Sequence, residues 1–115
     1  MAQGKDDLKG IVPFLNENPK AMELMKVWPR KVQFELDSEA SPFHIVIEQN
    51  SMSLFDGACK EPDIIVAGDA KEFANVVTGV KDITHPIAHG QLVVKKGKIS
   101  EMVHFNRIVQ LAKRR

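Results

Sequence analysis

The sequence carries almost no excess charge and few aromatic residues. Its 115 residues include 16 basic and 15 acidic side chains, one tryptophan and no tyrosine. A net charge near zero gives no general attraction to a phosphate backbone, and the scarcity of aromatic side chains removes the platforms on which bases stack. The composition therefore argues against nucleic acid as a partner.

Cysteine and long apolar runs are also scarce. Cys59 is the only cysteine, so an intramolecular disulfide is impossible and a reducing compartment is indicated. No stretch reaches the roughly 18 apolar residues of a membrane-spanning helix, and the first ten residues lack the apolar segment of a secretion signal. The last residues are not a peroxisomal address of the Ser-Lys-Leu type. We expect a protein of the cytoplasm.

The sequence does contain enough apolar material for one core. Hydrophobic residues make up 43% of the chain and charged residues 27%, which is typical of a globular protein. The length fits one domain, and no repeat or linker divides it. We expect residues 1–115 to form a single domain.

The first part of the chain predicts two short helices. Apolar residues from Leu8 to Leu15 keep a helical spacing that Gly10 and Pro13 interrupt, which indicates a short or kinked helix. Asn18 followed by Pro19 is the order of an N-cap and a first helical residue. The second helix should end before Pro29.

The middle of the chain alternates between apolar and polar residues, as half-buried strands do. The alternation predicts a run of antiparallel strands, with a turn at Asn50-Ser51. The four predicted strands cover residues 31–37, 42–49, 52–57 and 62–68.

The helical period returns after residue 68. Asp69 is the predicted N-cap of a helix with Glu72 at the capping-box position, and Gly79 is its predicted stop. A short helix at 83–89, a strand at 91–96 and a closing helix at 99–115 follow. Helices that flank a sheet of neighbouring strands indicate an α+β fold.

The apolar face of the closing helix is wider than one side of a sheet requires. On a helical projection it spans about 220°, whereas a surface helix needs an apolar stripe of only about 100°. The first two helices, a second copy of the chain, or an apolar ligand held between helix and sheet would each cover the excess. The residues of this arc are Ile99, Met102, Val103, Phe105, Ile108, Val109 and Ala112, with Glu101 and Asn106 interrupting it.

His85 and His89 lie one helical turn apart, a spacing at which two imidazoles can share a metal ion. A catalytic zinc site needs a third ligand and usually a carboxylate base, and neither lies nearby in the sequence. The structural interpretation explains more: His85 caps the short helix, Pro86 begins it, and Ile87 and Ala88 point inward with Ile83. Gly90 then ends the helix, and the chain continues into the next strand. We expect no metal and no other cofactor.

No other catalytic group stands out. Cys59 lies beside Lys60, but nothing in the sequence places a histidine base near it. The lysines at 95–98 and the basic residues at 113–115 are typical of a solvated face, although they leave an anionic headgroup open. We expect a protein that is not an enzyme.

The order of these signals resembles the sterol-carrier-protein type-two family of lipid-binding domains. The resemblance runs from about Val32 to Ile108 and implies a five-stranded, largely antiparallel sheet covered by helices. It also implies an apolar tunnel that takes fatty acyl chains, acyl-CoA, sterols or other lipids. Asn50-Ser51 and Gln91 depart from the glycine-bearing turn and the lysine usual in the family, so a headgroup contact from that lysine is not expected. The features that carry the resemblance are Pro42-Phe43, Pro62-Asp63, Phe73 to Thr78-Gly79, Asp82 and Gly90-Gln91-Leu92.

The sequence therefore predicts non-enzymatic binding, and transfer, of a long-chain apolar ligand. Two alternatives are an interaction subunit or homodimer that docks through the C-terminal helix, and a metal-assisted hydrolase that uses His85 and His89. Transient contact with a membrane surface is left open. The residues expected to line the ligand site are Phe34, Phe43, Ile45, Ile47, Leu54, Phe73, Val77, Ile87, Leu92, Met102, Phe105 and Val109.

Overall fold

The computed structural model describes residues 5–37 and 41–114, and over these residues the chain forms a helical layer on a five-stranded sheet. No helix within these ranges is long and apolar enough to cross a membrane. The elements in chain order are α1 (Lys5–Glu17), α2 (Pro19–Lys26), β1 (Arg30–Leu36), β2 (Phe43–Glu48), β3 (Ser51–Asp56), β4 (Ile64–Gly68), α3 (Ala70–Val77), α4 (Thr84–Ala88), β5 (Leu92–Lys96), α5 (Ile99–Gln110) and a 3-10 turn (Leu111–Arg114), called here the C-terminal turn.

The strand order of the sheet is β3-β2-β1-β4-β5. Strand β1 pairs antiparallel with β2 and parallel with β4, with Val32 opposite both Ile45 and Ile64. The prediction of a largely antiparallel α+β fold is confirmed, but the expectation that all the middle strands are antiparallel is wrong for β4. The β2–β3 hairpin pairs with one edge of β1. Strand β4 therefore pairs with the other edge, where it runs parallel to β1.

The hairpin turn lies one residue earlier than predicted. Gln49 and Asn50 have φ angles of 50° and 65°, and Ser51 already belongs to β3. Two consecutive residues with positive φ match the twist of the strands that they join.

The two N-terminal helices begin and end largely as the sequence predicts. Pro13 lies inside a continuous α1, with its side chain exposed, so the predicted interruption does not divide this helix. The side chain of Asn18 accepts a hydrogen bond from the Ala21 backbone N–H at 3.0 Å, which confirms the predicted cap of α2.

The cap of α3 is confirmed in part. The Asp69 carboxylate accepts the backbone N–H of Glu72 at 3.0 Å, and Gly79 ends the helix with a φ of 83°. The capping box does not close, because the Asp69 N–H donates to the Gln91 carbonyl at 2.9 Å. The Glu72 carboxylate pairs instead with Lys81 at 2.7 Å.

The wide apolar face of α5 is covered from within the chain. Helix α5 packs against α1, α2 and α3, and Met102, Phe105, Ile108 and Val109 have no exposed surface. Two members of the predicted arc are not fully covered, since Ile99 has 54% of its surface exposed and Val103 is half-buried. Most of the excess apolar width of α5 is therefore covered by the N-terminal helices and α3.

The outer face of the sheet is more polar than the face beneath the helices. The Glu35 carboxylate accepts hydrogen bonds from Gln33 at 2.8 Å and from Lys95 at 2.6 Å. Phe55 stacks on His44 with ring centroids 5.3 Å apart and remains 48% exposed. The core consequently lies on the helical side.

Candidate functional site

Four phenyl rings meet at the centre of the layer between sheet and helices. The Phe34 ring lies 5.1 Å from Phe43, 4.8 Å from Phe73 and 5.6 Å from Phe105, measured between centroids. They come from β1, β2, α3 and α5, because inward positions of two strands face the inner sides of two helices. All four side chains are fully buried.

The other residues predicted to line a ligand site belong to the same apolar cluster. Leu54 and Ile87 are half-buried at its edge. The structure thus brings the whole predicted set together in one apolar cluster between the sheet and the helices. The fully buried members besides the phenylalanines are Ile45, Ile47, Val77, Leu92, Met102 and Val109.

The buried polar side chains of the described residues all have partners. Besides its bond to Glu35, Gln33 accepts the Cys59 backbone N–H at 2.8 Å, and Glu72 pairs with Lys81. The third buried polar residue is Asn106. Each of these groups already has a partner within the protein, so none of the three is an unpaired buried polar group.

Asn106 is a structural residue that the sequence marked only as a gap in the apolar arc. Its side-chain oxygen accepts the buried Ile83 backbone N–H at 3.0 Å, and its nitrogen donates to Asp82 at 3.1 Å. Hydrogen bonds from the Thr84 side chain and backbone, and then from Asn106, lower the pKa of Asp82. A polar residue in the middle of an apolar helix face is the signal that points to such a bond.

We expect Asn106→Ala to lower the free energy of unfolding by about 1–3 kcal/mol, because it leaves the Ile83 N–H buried without an acceptor. Urea denaturation measures the loss. Gln110→Ala is the matched control on the same helix, since Gln110 makes a longer bond of 3.3 Å to the Lys81 carbonyl from a half-buried position. Equal losses in both variants would contradict a special role for Asn106.

His85 does not cap α4 and Pro86 does not begin it, so both of these predictions are wrong. The helix begins at Thr84, whose backbone N–H and hydroxyl donate to the Asp82 carboxylate at 2.9 and 2.7 Å. The N-cap position is Ile83, which makes no side-chain cap hydrogen bond, so the Asp82 carboxylate one residue earlier binds the first helical N–H. His85 lies inside the helix, Pro86 is buried, and Ala88 is exposed rather than inward.

The two imidazoles face solvent side by side. The ring centroids of His85 and His89 are 4.5 Å apart, and both side chains are exposed. Within residues 5–37 and 41–114, no group of three or more His, Cys, Asp and Glu side chains could hold a metal ion. The pair therefore has no third protein ligand in the described part of the chain.

The surface has an apolar groove between α2 and the end of α5. One part has a volume of about 430 Å³ and is lined by Lys20, Glu23, Leu24, Val27 and Leu111. A second part of about 300 Å³ shares Leu24 and Leu111 and adds side chains of α5, namely Asn106, Arg107 and Gln110. None of the predicted lining residues borders either part.

A separate cleft at the start of α5 is polar. It lies between Arg30, Asp63, Lys98 and Glu101. The Arg30 guanidinium donates to Glu101 at 2.7 Å, and this bond holds the pKa of the Glu101 carboxyl below its usual value. Arg30 on β1 and Glu101 on α5 form an ion pair, and this pair links the two elements.

A comparison of the sequence with curated proteins found no match. Solved structures with a similar fold include the UbiJ-SCP2 ubiquinone synthesis protein, at 18% identity and a TM-score of 0.72 over 93% of this chain and 91% of that one. Sterol carrier protein 2 from Yarrowia lipolytica, in its apo form, has 18% identity and a TM-score of 0.70 over 96% and 90% of the two chains. Palmitated SCP2L2 from Aedes aegypti has 10% identity and a TM-score of 0.69 over 95% of both chains.

These likenesses agree with the predicted fold, a mostly antiparallel sheet of five strands with helices. A family model covers nearly the whole described chain, from residue 12 to residue 110. By that match, the chain belongs to the SCP-2 sterol transfer family.

Proposed function

We propose that the protein binds a long-chain apolar ligand, and transfers it, without catalysing a reaction. The ligand is a fatty acid, fatty acyl-CoA, sterol or other lipid. It lies in a tunnel that opens between the sheet and the helices. The observation that carries the proposal is a family match over residues 12–110 in a chain whose buried layer is almost entirely apolar.

The phenyl rings of Phe34, Phe43, Phe73 and Phe105 are the centre of the proposed tunnel. They contact one another directly, so an acyl chain has to part them and replace ring–ring contacts with ring–chain contacts. Methylene burial drives this exchange at roughly 0.8 kcal/mol per CH₂, and the cost of opening the layer offsets part of that gain. The remaining proposed lining residues are Ile45, Ile47, Leu54, Val77, Ile87, Leu92, Met102 and Val109.

Two structural neighbours suggest the panel of ligands. SCP2L2 from Aedes aegypti is palmitated, which supports including a fatty acid among the ligands tested. The UbiJ-SCP2 neighbour is a ubiquinone synthesis protein, which supports including an isoprenoid quinone among the ligands tested. A sterol completes the panel, because the family is one of sterol transfer.

We expect fatty acids to bind one per chain, with an affinity that rises with chain length. Each added methylene should tighten binding by up to about fourfold, which corresponds to about 0.8 kcal/mol, whereas exchanging the carboxylate for an alcohol should matter less. Fluorescence displacement with saturated fatty acids of increasing length measures the series. If short and long chains bind equally weakly, the apolar tunnel is wrong.

Native mass spectrometry of the purified protein tests the class of function directly. A co-purified lipid at one per chain supports the proposal. A lipid-free dimer favours an interaction subunit, and a bound metal that is lost in the double variant His85→Ala/His89→Ala favours the hydrolase. Either of the last two results would contradict the proposal.

A further inference from the structure

Leu24 and Leu111 separate solvent from the buried layer at the groove described above. Both side chains are half-buried and pack against the core. Ala21 on α2 and Ala112 in the C-terminal turn, on the same two elements, are buried. At the mouth of the groove, Val27 is 72% exposed. The groove thus leads from an exposed apolar side chain at the surface towards the core.

The contact under this groove, between α2 and the C-terminal part of α5 with the turn that follows it, is mainly apolar. It is called here the α2 seam. Among the residues that the structure describes, no hydrogen bond or ion pair joins Pro19–Lys26 to residues 102–112; the polar ties to α5 lie at its other end, where Trp28 and Arg30 donate to Glu101. Other seams of the helical layer are tied by polar bonds. Asn16 of α1 exchanges two hydrogen bonds with the Met52 backbone on β3, at 2.9 and 2.7 Å, and Asn106 ties α5 to Ile83.

An apolar seam can part without leaving polar groups unpaired, and an acyl chain replaces the contacts that are lost. Separating Asn16 from Met52, or Asn106 from Ile83, would instead break hydrogen bonds, of which the Asn106–Ile83 bond is buried. This difference makes the α2 seam the easier of these places to open.

The rim of the groove is cationic on balance. Lys20 and Arg107 lie on its two sides, and Glu23 is its one acidic residue. The described side chains include no ion-pair partner for Lys20 or Arg107. A single-chain amphiphile with an anionic head would find an apolar path for its tail and two cations for its head.

We propose that the groove between α2 and the C-terminal turn is the portal through which such an amphiphile enters, with Leu24 and Leu111 as the gate. The proposal rests on the proposed function and names the route and the headgroup charge. A portal controls the rates of binding and release, whereas the tunnel controls the affinity.

Stopped-flow uptake of a fluorescent palmitate analogue tests the gate in the full chain. Leu24→Trp fills the groove, and we expect it to slow association and dissociation alike by about tenfold, within the range over which rates vary among variants of one site. The dissociation constant should change little, because the tunnel is untouched. Leu24→Ala removes side-chain bulk from the gate and should speed both rates, which keeps the test decisive if the tryptophan variant fails to fold.

Val93→Trp is the matched control, since Val93 is 50% exposed on β5 and does not border the groove. The portal would be wrong if both Leu24 variants bind at the parental rates, or if the control is slowed equally. In either case, equilibrium binding by the parent protein would still support the proposed function. Absence of equilibrium binding by the parent would remove both.

The headgroup part of the proposal has its own test. The double variant Lys20→Gln/Arg107→Gln should take up the fatty acid severalfold more slowly and the fatty alcohol of equal length at the parental rate. An equal slowing of both ligands would overturn the role of the cationic rim.

Discussion

Phe34→Ala should lower the free energy of unfolding by about 3–5 kcal/mol, the usual cost of removing a buried phenyl ring. Phe34 contacts the rings of Phe43, Phe73 and Phe105, so its loss leaves a cavity bordered by two strands and two helices. Small domains are stable by only about 5–15 kcal/mol, so the variant should unfold at a much lower urea concentration. Chemical denaturation followed by tryptophan fluorescence is a suitable measurement.

Phe55→Ala is the control for this loss. The same ring is removed from the outer face of the sheet, where Phe55 is 48% exposed and stacks only on His44 among the described aromatic side chains. We expect a change below about 1 kcal/mol. Similar losses at both positions would contradict the central role assigned to the Phe34 cluster.

Gly68→Ala should destabilise the protein by about 2–5 kcal/mol through backbone strain and steric overlap. Gly68 has a φ of 138°, and a Cβ atom there would lie 2.2 Å from the Gln91 carbonyl oxygen. That same oxygen accepts the Asp69 N–H at the start of α3. An alanine therefore forces β5 away from the point where β4 leads into α3.

Gly10→Ala should change the free energy of unfolding in the opposite direction in the same denaturation measurement. Gly10 is exposed within α1, and a Cβ atom there meets nothing within 4 Å. Alanine costs less backbone entropy in a helix, so we expect this variant to be about 0.5–1 kcal/mol more stable than the parent. A Gly68→Ala variant as stable as the parent would contradict this prediction, because it would mean that β5 can shift to admit the methyl group with no loss of stability.

Local patterns in the sequence predict the elements well because each depends on neighbouring residues. Asn18 and Asp69 cap helices where their spacing indicates, and Gly79 ends α3 with the expected positive φ. Pairing is different. The parallel addition of β4 to β1 joins Val32 to Ile64, and no local period specifies which edge of the sheet a later strand joins.

Membership of the buried apolar cluster could be predicted because inward-facing apolar residues of strands and helices share one core. The tight packing of Phe34 against Phe73 and Phe105 could not, since the gaps between side chains depend on the exact positions of the helices. The α2 groove was missed for a related reason. It joins Leu24 to Leu111 across most of the chain, and both residues read simply as apolar helix positions.

The central place of β1 has a consequence for how the chain folds. Strands β1, β2 and β3 pair across short intervals within residues 30–56, so they can assemble before the rest of the sheet exists. Addition of β4 closes a larger loop, and β5 can join only through β4. Loop closure of this kind slows folding. Backbone amides of β1 should therefore exchange with deuterated solvent last, and those of the edge strand β5 should exchange earlier, as the sheet opens from its late-forming side.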